Sequence, residues 1–434
     1  EFDDGTTMQR QSQLRSRKYF SIFGKFDVPR TYYHTEGQAG VFPLDAVANL
    51  PERSYSYLLQ EWMNLCSIRD SFYESKITLS SLLGIDISQS SFEIINRGSA
   101  NNYDEFYKNK ALPLSEEEGA IQVVQFDGKG VPMIKSEAAK IKSRLGKGEK
   151  RQKKKEATVG VDYTVARNIR TPEEVAENLI YPEEAKKKRK ESEDNSPPVC
   201  AKNIRRIASL ERTRGEVMEE IVNGAKKRNP DNKRPWVVVM DGALCLWNVI
   251  ASVLSGITWV GILDIIHVIE YLWKVGNTLH GEKTLKAEKW VYNHLLSILH
   301  GRVGRVIGGM KQILKKRENK LTNTQKDSIK TVITYFENHK QWMKYDEYLK
   351  EGYPIGSGVV ESACGHTVKN RMEGAGRRWS IKGAEYMLLL RSVYTSNDWK
   401  EYLYTHRHSE GQKMYGNTNN ALRYTDDYCI QNVA

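Results

Sequence analysis

The chain has 434 residues, 39% of them hydrophobic, enough for two or three domains around a sizeable core. Lys plus Arg number 66 against 54 Asp plus Glu, a net charge of +12 that favours a polyanionic partner, nucleic acid ahead of a membrane surface. The five cysteines (Cys66, Cys200, Cys245, Cys364 and Cys429) form no C-x-x-C pair, which excludes a disulfide framework and a zinc ribbon and fits a reducing compartment.

The first residues, EFDDGTTMQR, carry no signal-peptide pattern and no initiating Met, so the chain is expected either to be truncated or to carry added residues at its start. Residues 20–45 read as a small β element and turn. Residues 52–107 read as helical. Within them Leu82 and Leu83 end one helix, Gly84 turns the chain, and Ser90-x-x-Glu93 reads as a capping box for the next. Phe92, Ile94 and Ile95 give that helix an apolar face, leaving Gln89, Ser91, Asn96 and Arg97 to face outward. A helix-turn-helix that sets Gln89, Asn96 and Arg97 in a DNA groove is one reading. An ordinary helical hairpin is the other, and this stretch alone favours it.

Residues 120–135 and 157–169 read as strands. The basic run between them, KIKSRLGKGEKRQKKKEA, is either a solvated loop or a track for a phosphate backbone. Residues 183–198 read as a polar linker. The apolar spacing of Ile204, Ile207, Leu210, Val217 and Ile221 predicts an amphipathic helix over 203–227. RPWVVVMDGA, 234–243, is a continuous apolar run ending at Asp241, the pattern of a central strand buried on both faces. Residues 242–263 carry no charge, but their Asn, Ser, Gly and Thr residues predict a buried helix followed by a strand rather than a membrane span. Residues 282–350 read as helical and charged. Beyond Trp399 the tail is polar and weakly patterned, and no internal repeat is evident.

Three carboxylates stand out. Asp127 lies on or at the end of a strand, and Asp241 ends a buried one; either is also a plain Asp-Gly turn residue. Glu361 falls in the first turn of a helix opened by Gly356, Ser357 and Gly358. There it complements the helix dipole or serves as one ligand of a metal site. Carboxylates from three elements of an α/β core can hold two Mg²⁺ ions roughly 4 Å apart for in-line displacement at a phosphodiester. Asp264 and His267 are at i and i+3 on one helix face. They are either a capping Asp with a half-buried His or part of the border of that site.

QFDGKGVPM, VVVMDGA, LDIIHVIEYLW and YPIGSGVVESACGHTVKNRMEGAGRRWS together resemble DDE transposases of bacterial insertion sequences, most closely the ISKra type. The resemblance runs from about residue 25 to 400 in the family's order. It implies an RNase H-like mixed sheet flanked by helices, with an α-helical insertion before the Glu and a mostly helical N-terminal DNA-binding region. Carried over by position, Asp127, Asp241 and Glu361 resemble the metal-binding catalytic triad, with Mg²⁺ as cofactor and Mn²⁺ as its substitute. Asp264-x-x-His267 resembles the D-x-x-H element between the second Asp and the Glu, in a role at a phosphate or behind a ligand. His366, Lys369, Arg371, Arg377, Arg378 and Trp379 are candidates for gripping DNA, Trp379 by stacking unless it packs in the core. Family members often begin further upstream, sometimes with a cysteine-containing segment, so part of the end-recognition module is expected to be missing here.

The implied organisation is residues 1–112 for DNA-end binding, 113–280 for the first part of the catalytic core, 281–350 for the insertion, 351–400 for the last part with the Glu helix, and 401–434 for the tail. The implied activity is cleavage at the ends of a mobile element with a metal-activated water, followed by joining of the 3′-hydroxyl ends to target DNA. The enzyme would work as a homo-oligomer on DNA in the cytoplasm, associated with the nucleoid and not with a membrane. A metal-dependent nuclease of the same fold and a host-adapted DNA-binding protein without catalysis are the alternatives.

Overall fold

The structure, a computed structural model, describes residues 7–37, 40–141, 153–191, 198–374 and 376–416. The chain divides into two compact units. The first comprises Glu1–Lys110, Pro132–Lys140 and Asn370–Ala434; the second comprises Ala111–Val131 and Ile141–Lys369.

The first unit opens with an antiparallel hairpin, β1 (Arg15–Ser21) and β2 (Gly24–Arg30). Three helices follow: α1 (Tyr57–Arg69), α2 (Phe72–Leu83) and α3 (Gln89–Ala100). Leu59, Met63, Leu79, Ile87, Phe92 and Ile95 form their shared core. Gly84 ends α2 in the left-handed region at φ 65°, a conformation that costs glycine little. The cap of α3 is Ser88 rather than Ser90: the Ser88 hydroxyl accepts from the Ser91 N–H at 3.2 Å, and Ser90 Oγ contacts Ser88 Oγ. Three serines within four residues offer the same cap chemistry, and the helix starts at the first of them.

The second unit is built on a five-stranded sheet. Its strands are β3 (Ile121–Pro132), β4 (Lys154–Val165), β5 (Lys202–Ser209), β6 (Trp236–Met240) and β7 (Trp259–Leu263), in the order β5-β4-β3-β6-β7. β5 runs antiparallel to β4, while β6 and β7 run parallel to β3. Helices flank this mixed sheet. β6 is buried along its whole length, 0–1% exposed, as its unbroken apolar run requires. Each of its three valines contributes about 1.5–3 kcal/mol by leaving water.

Two sequence expectations fail in this unit. Residues 183–198 were expected as a linker, but Pro182–Glu191 form a helix, α4. Its charges are sorted by sign, Glu183 and Glu184 in the first turn and Lys188, Arg189 and Lys190 in the last, which suits the helix dipole at both ends. The helix expected over 203–227 is two elements, strand β5 and then α5 (Arg214–Arg228). Pairing of β5 with β4, from Thr158↔Ser209 to Thr164↔Lys202, outweighs the local 3.6-residue period. The helix starts only where Thr213 and Glu216 form a capping box.

The uncharged stretch 242–263 divides into α6 (Leu244–Val253) and β7. Among the described residues no helix is long and apolar enough to cross a membrane. α7 (Ile265–His280) leads into a helical insertion of α8 (Leu285–Leu299), α9 (Val303–Lys316), α10 (Asn323–His339) and α11 (Tyr345–Lys350). α12 (Gly358–Ala363) carries Glu361 and continues into a wider helical turn, Cys364–Lys369.

The chain then returns to the first unit with α13 (Ile381–Thr395) and α14 (Trp399–Tyr415). The tail expected beyond Trp399 is therefore helical through Tyr415. Trp399, Tyr402, Leu403 and His406 give it a buried stripe that a mixed composition concealed. Residues 417–434, Cys429 and most of the basic run after Lys140 lie outside the described residues.

Candidate active site

Three parallel strands of the second unit run in register. Phe126 of β3 pairs with Met240 of β6, and Met240 pairs with Leu263 of β7. The next residue on each chain is an aspartate: Asp127, Asp241 and Asp264. Neighbouring strands are about 4.8 Å apart, so the three form a row at the carboxyl end of the sheet with Asp241 in the middle. Ligand sites of α/β sheets collect at that end.

Each aspartate is held differently. Asp264 is fully buried and both its oxygens are used. Oδ1 accepts from the N–H groups of Ile266 (3.2 Å) and Ser357 (3.0 Å), and Oδ2 is 2.7 Å from His267 Nδ1. Asp127 Oδ1 accepts from Gly128 N–H at 2.6 Å, and its Oδ2 receives the Cys364 thiol at 3.2 Å. Asp241 Oδ1 accepts from Ala243 N–H at 3.1 Å.

The turn after Asp241 is pinned through its backbone. The Trp247 indole N–H donates to the Asp241 carbonyl at 2.8 Å, and His339 Nε2 meets the Gly242 carbonyl at 2.8 Å. Gly242 has no room for a side chain, because a Cβ would lie 2.4 Å from the Tyr335 ring. On the neighbouring strand, Tyr345 donates to the Leu263 carbonyl (2.7 Å) and Tyr348 to the Gly261 carbonyl (3.0 Å).

α12 is tied across the strand ends. At its start Ser357 N–H reaches Asp264, and one helical turn beyond Glu361 the Cys364 thiol reaches Asp127. Between them Val360 N–H donates to Gln125 Oε1 at 3.1 Å, while Gln125 Nε2 donates to the Gly356 carbonyl at 3.1 Å. Ser357 stands at the N-cap position but does not cap the backbone. Its hydroxyl donates instead to Glu361 Oε1 at 2.8 Å. Glu361 is otherwise exposed. A cavity of about 530 Å³ opens beside it, lined by Ile266, Ile355, Val359 and Arg170.

The hydrogen bond that His267 donates to Asp264 raises the His267 pKa to about 9, with Asp264, Glu270 and Asp241 adding charge attraction against the opposing effect of burial. The imidazole is therefore a cation at neutral pH. Burial, then the Asp127 carboxylate, push the Cys364 thiol far above its ordinary range, so it stays a neutral donor to Asp127.

Asp264, His267 and Glu361 offer ligand atoms within 4.8 Å of one another, a group that could hold a metal ion once the His267 ring has given up its proton. Among the described residues it is the one group of three that close. Asp127, Asp241 and Glu361 sit around the same strand ends but are not drawn together to that distance, since Asp127 is turned to Cys364 and Glu361 to Ser357.

Protein-family models and curated proteins offer no match to this chain.

The candidate DNA contacts fall into two classes. His366, Lys369, Gln89, Arg97 and Arg378 are exposed, and Arg377 is partly so. Asn96, Arg371 and Trp379 are buried at 2%, 1% and 7% exposure, which withholds them from gripping phosphates. Asn96 Nδ2 donates to Asn64 Oδ1, Arg371 Nε donates to the Ser67 carbonyl, and Trp379 packs edge-on to Phe72 beneath the Arg371 guanidinium.

Sequence reasoning missed Gln125 and Cys364 as partners of the site. Gln125 had a signal: a fully buried amide in an otherwise apolar strand needs partners. Cys364 had none, since an unpaired cysteine in a helix most often packs as a small apolar residue.

Proposed function

We propose that the protein is a DNA transposase that cleaves at the ends of its mobile element and joins the 3′-hydroxyl ends to target DNA. The observation that carries the reading is the in-register row of Asp127, Asp241 and Asp264, with Glu361 brought over that row by α12. The strand order β5-β4-β3-β6-β7 is compatible with the RNase H-like core that the motifs imply. The net charge of +12 suits a polyanionic substrate.

The chemistry of the acids suits a divalent ion, although among the described residues the group whose ligand atoms close within 4.8 Å is Asp264, His267 and Glu361. Asp127, Asp241 and Glu361 offer carboxylate oxygens alone, the hard donors that Mg²⁺ prefers. Asp264, with both oxygens already used, acts from behind by holding His267 and the start of α12. Bound at these acids, the ion supplies Lewis-acid polarisation of the phosphodiester and makes the attacking oxygen more acidic.

The chain's own residues do the rest. Asp264 fixes the His267 ring through Nδ1, so the charged imidazole presents Nε2–H as a donor toward a phosphate oxygen. Gln125 and Ser357 set the position of Glu361. Hydrolysis and joining use the same carboxylate pocket in succession, first with water and then with the freed 3′-hydroxyl as nucleophile. No covalent bond between protein and DNA is needed.

The test uses DNA carrying the gene's own flanks, with Mg²⁺ or Mn²⁺, and compares wild type with Glu361→Gln. Metal-dependent nicking and strand joining are expected in the wild type, and both should vanish in the variant while DNA binding stays. Nicking without joining would instead identify a nuclease of the same core. Equal activity in the two proteins would remove Glu361 from the chemistry.

A further inference from the structure

The first unit carries a second feature that the carboxylate site does not use. A groove of about 620 Å³ lies between the start of α2, the outer face of α3 and the segment leading into α13. Its volume falls in the range of small-ligand sites. Two separate stretches of chain, 89–97 and 377–387, meet in it.

Three features of the groove are complementary to a nucleotide. Its rim carries the exposed cations Arg97, Arg378 and Lys382, and among the described lining residues the one acid is Glu93. Arg377 is not counted with these cations, because its guanidinium is paired with the Asp70 carboxylate, whereas Arg378 donates to the neutral Arg377 carbonyl. Next, α3 and α13, of 12 and 15 residues, both begin at the groove. The Ser88 and Ser380 hydroxyls cap only the N–H groups of Ser91 and Gly383, so the other first-turn N–H groups add positive potential. Last, the lining is mainly apolar: Phe72 and Tyr386 bring aromatic rings, and Ile94 is 43% exposed. The Arg97 guanidinium already lies 5.7 Å from the centre of the Tyr386 ring.

We infer that this groove binds an unpaired stretch of a DNA strand, one or two bases lying on its apolar floor and the flanking phosphates on Arg97, Arg378 and Lys382. A duplex hides its base faces and presents phosphates to flat or convex basic surfaces. A concave apolar floor within a cationic rim matches a strand whose bases are free to stack. The inference rests on the reading of the protein as acting on DNA and adds that it engages single-stranded DNA at a place of its own.

The experiment measures fluorescence anisotropy in EDTA, so that metal-dependent chemistry plays no part. The probes are a labelled single strand of about 12 nucleotides, the blunt duplex of the same sequence, and that duplex with a short single-stranded overhang. The variants are Arg97→Ala/Arg378→Ala/Lys382→Ala and, separately, Ile94→Glu. All four positions are exposed, and thermal melting verifies folding.

Wild type should prefer the single strand and the overhang to the blunt duplex. Each variant should weaken single-strand and overhang binding about tenfold or more while changing duplex binding less than about threefold. Equal losses on all probes would overturn the inference in favour of a general basic surface. So would unchanged single-strand binding, or displacement of the strand by poly-glutamate as effective as by unlabelled DNA. Duplex binding with no preference for the overhang would overturn the groove and spare the transposase reading. Failure to bind any of the probes would overturn both.

Discussion

The Val360 N–H donates to the side-chain oxygen of Gln125, so a strand residue buried in the sheet holds the helix that carries Glu361. The same side chain donates to the Gly356 carbonyl, which ties down the turn before that helix. Gln125→Leu keeps the apolar volume but leaves a buried N–H and a carbonyl unpaired, a cost of about 1–3 kcal/mol. The expected outcome is a lower melting temperature and a fall in strand cleavage of about 100-fold through misplacement of Glu361. DNA affinity should stay near wild type in an anisotropy assay. Gln125→Glu keeps the acceptor for Val360 and should recover part of the activity.

His267 supplies the pH dependence. Its folded pKa of about 9 lies above the ordinary 6.5, so its ion pair with Asp264 stabilises the fold fully below pH 6.5. That contribution is lost as pH rises through about 9. In EDTA, the difference in melting temperature between wild type and His267→Gln should be largest at mildly acidic pH and should close in alkaline buffer. A difference that is constant with pH would mean that the ring acts by packing alone.

Gly242 is a spatial requirement next to Asp241. A Cβ there would lie 2.4–2.7 Å from the Tyr335 ring, and that ring is stacked on Tyr271 at a centroid separation of 3.9 Å. Gly242→Ala should cost about 1–3 kcal/mol in overpacking. Because the displaced turn carries Asp241, cleavage activity should fall further than stability alone explains. A melt and a single-turnover cleavage assay on the same preparation separate the two effects.

Tyr345 is fully buried and donates to the Leu263 carbonyl, one residue before Asp264. Tyr345→Phe strands that carbonyl and should destabilise the protein by about 1–3 kcal/mol in urea unfolding. Tyr348→Phe, at the longer and less buried bond to Gly261, should cost less.

The strands that build the site were legible because each is an apolar run stopped by an aspartate, in QFDG, VMDG and ILDI. Their common register was not, because nothing local in a strand states which residue of its neighbour it will face. Local pattern also misread β5, where Ile204 and Ile207 sit at helical spacing but lie in a strand, Ile207 paired with Gly160 of β4. The charge order within α4 was visible but masked by its lack of apolar residues. Gln125 was legible only as an anomaly. Its partners are Tyr163 on the neighbouring strand and two backbone groups more than 200 positions away, and sequence carries no sign of which they are.

The helical insertion touches the strand ends at main-chain carbonyls: His339 at Gly242, Tyr348 at Gly261 and Tyr345 at Leu263. A carbonyl is the same acceptor whichever side chain its residue bears. Side-chain changes on these strands therefore leave the three acceptors in place, except at Gly242 and Gly261, where a Cβ would run into Tyr335 and Trp342 of the insertion. An insertion exchanged onto this sheet as a whole cassette would have to bring the three ring donors together with rings that sit as Tyr335 and Trp342 do against the two glycines.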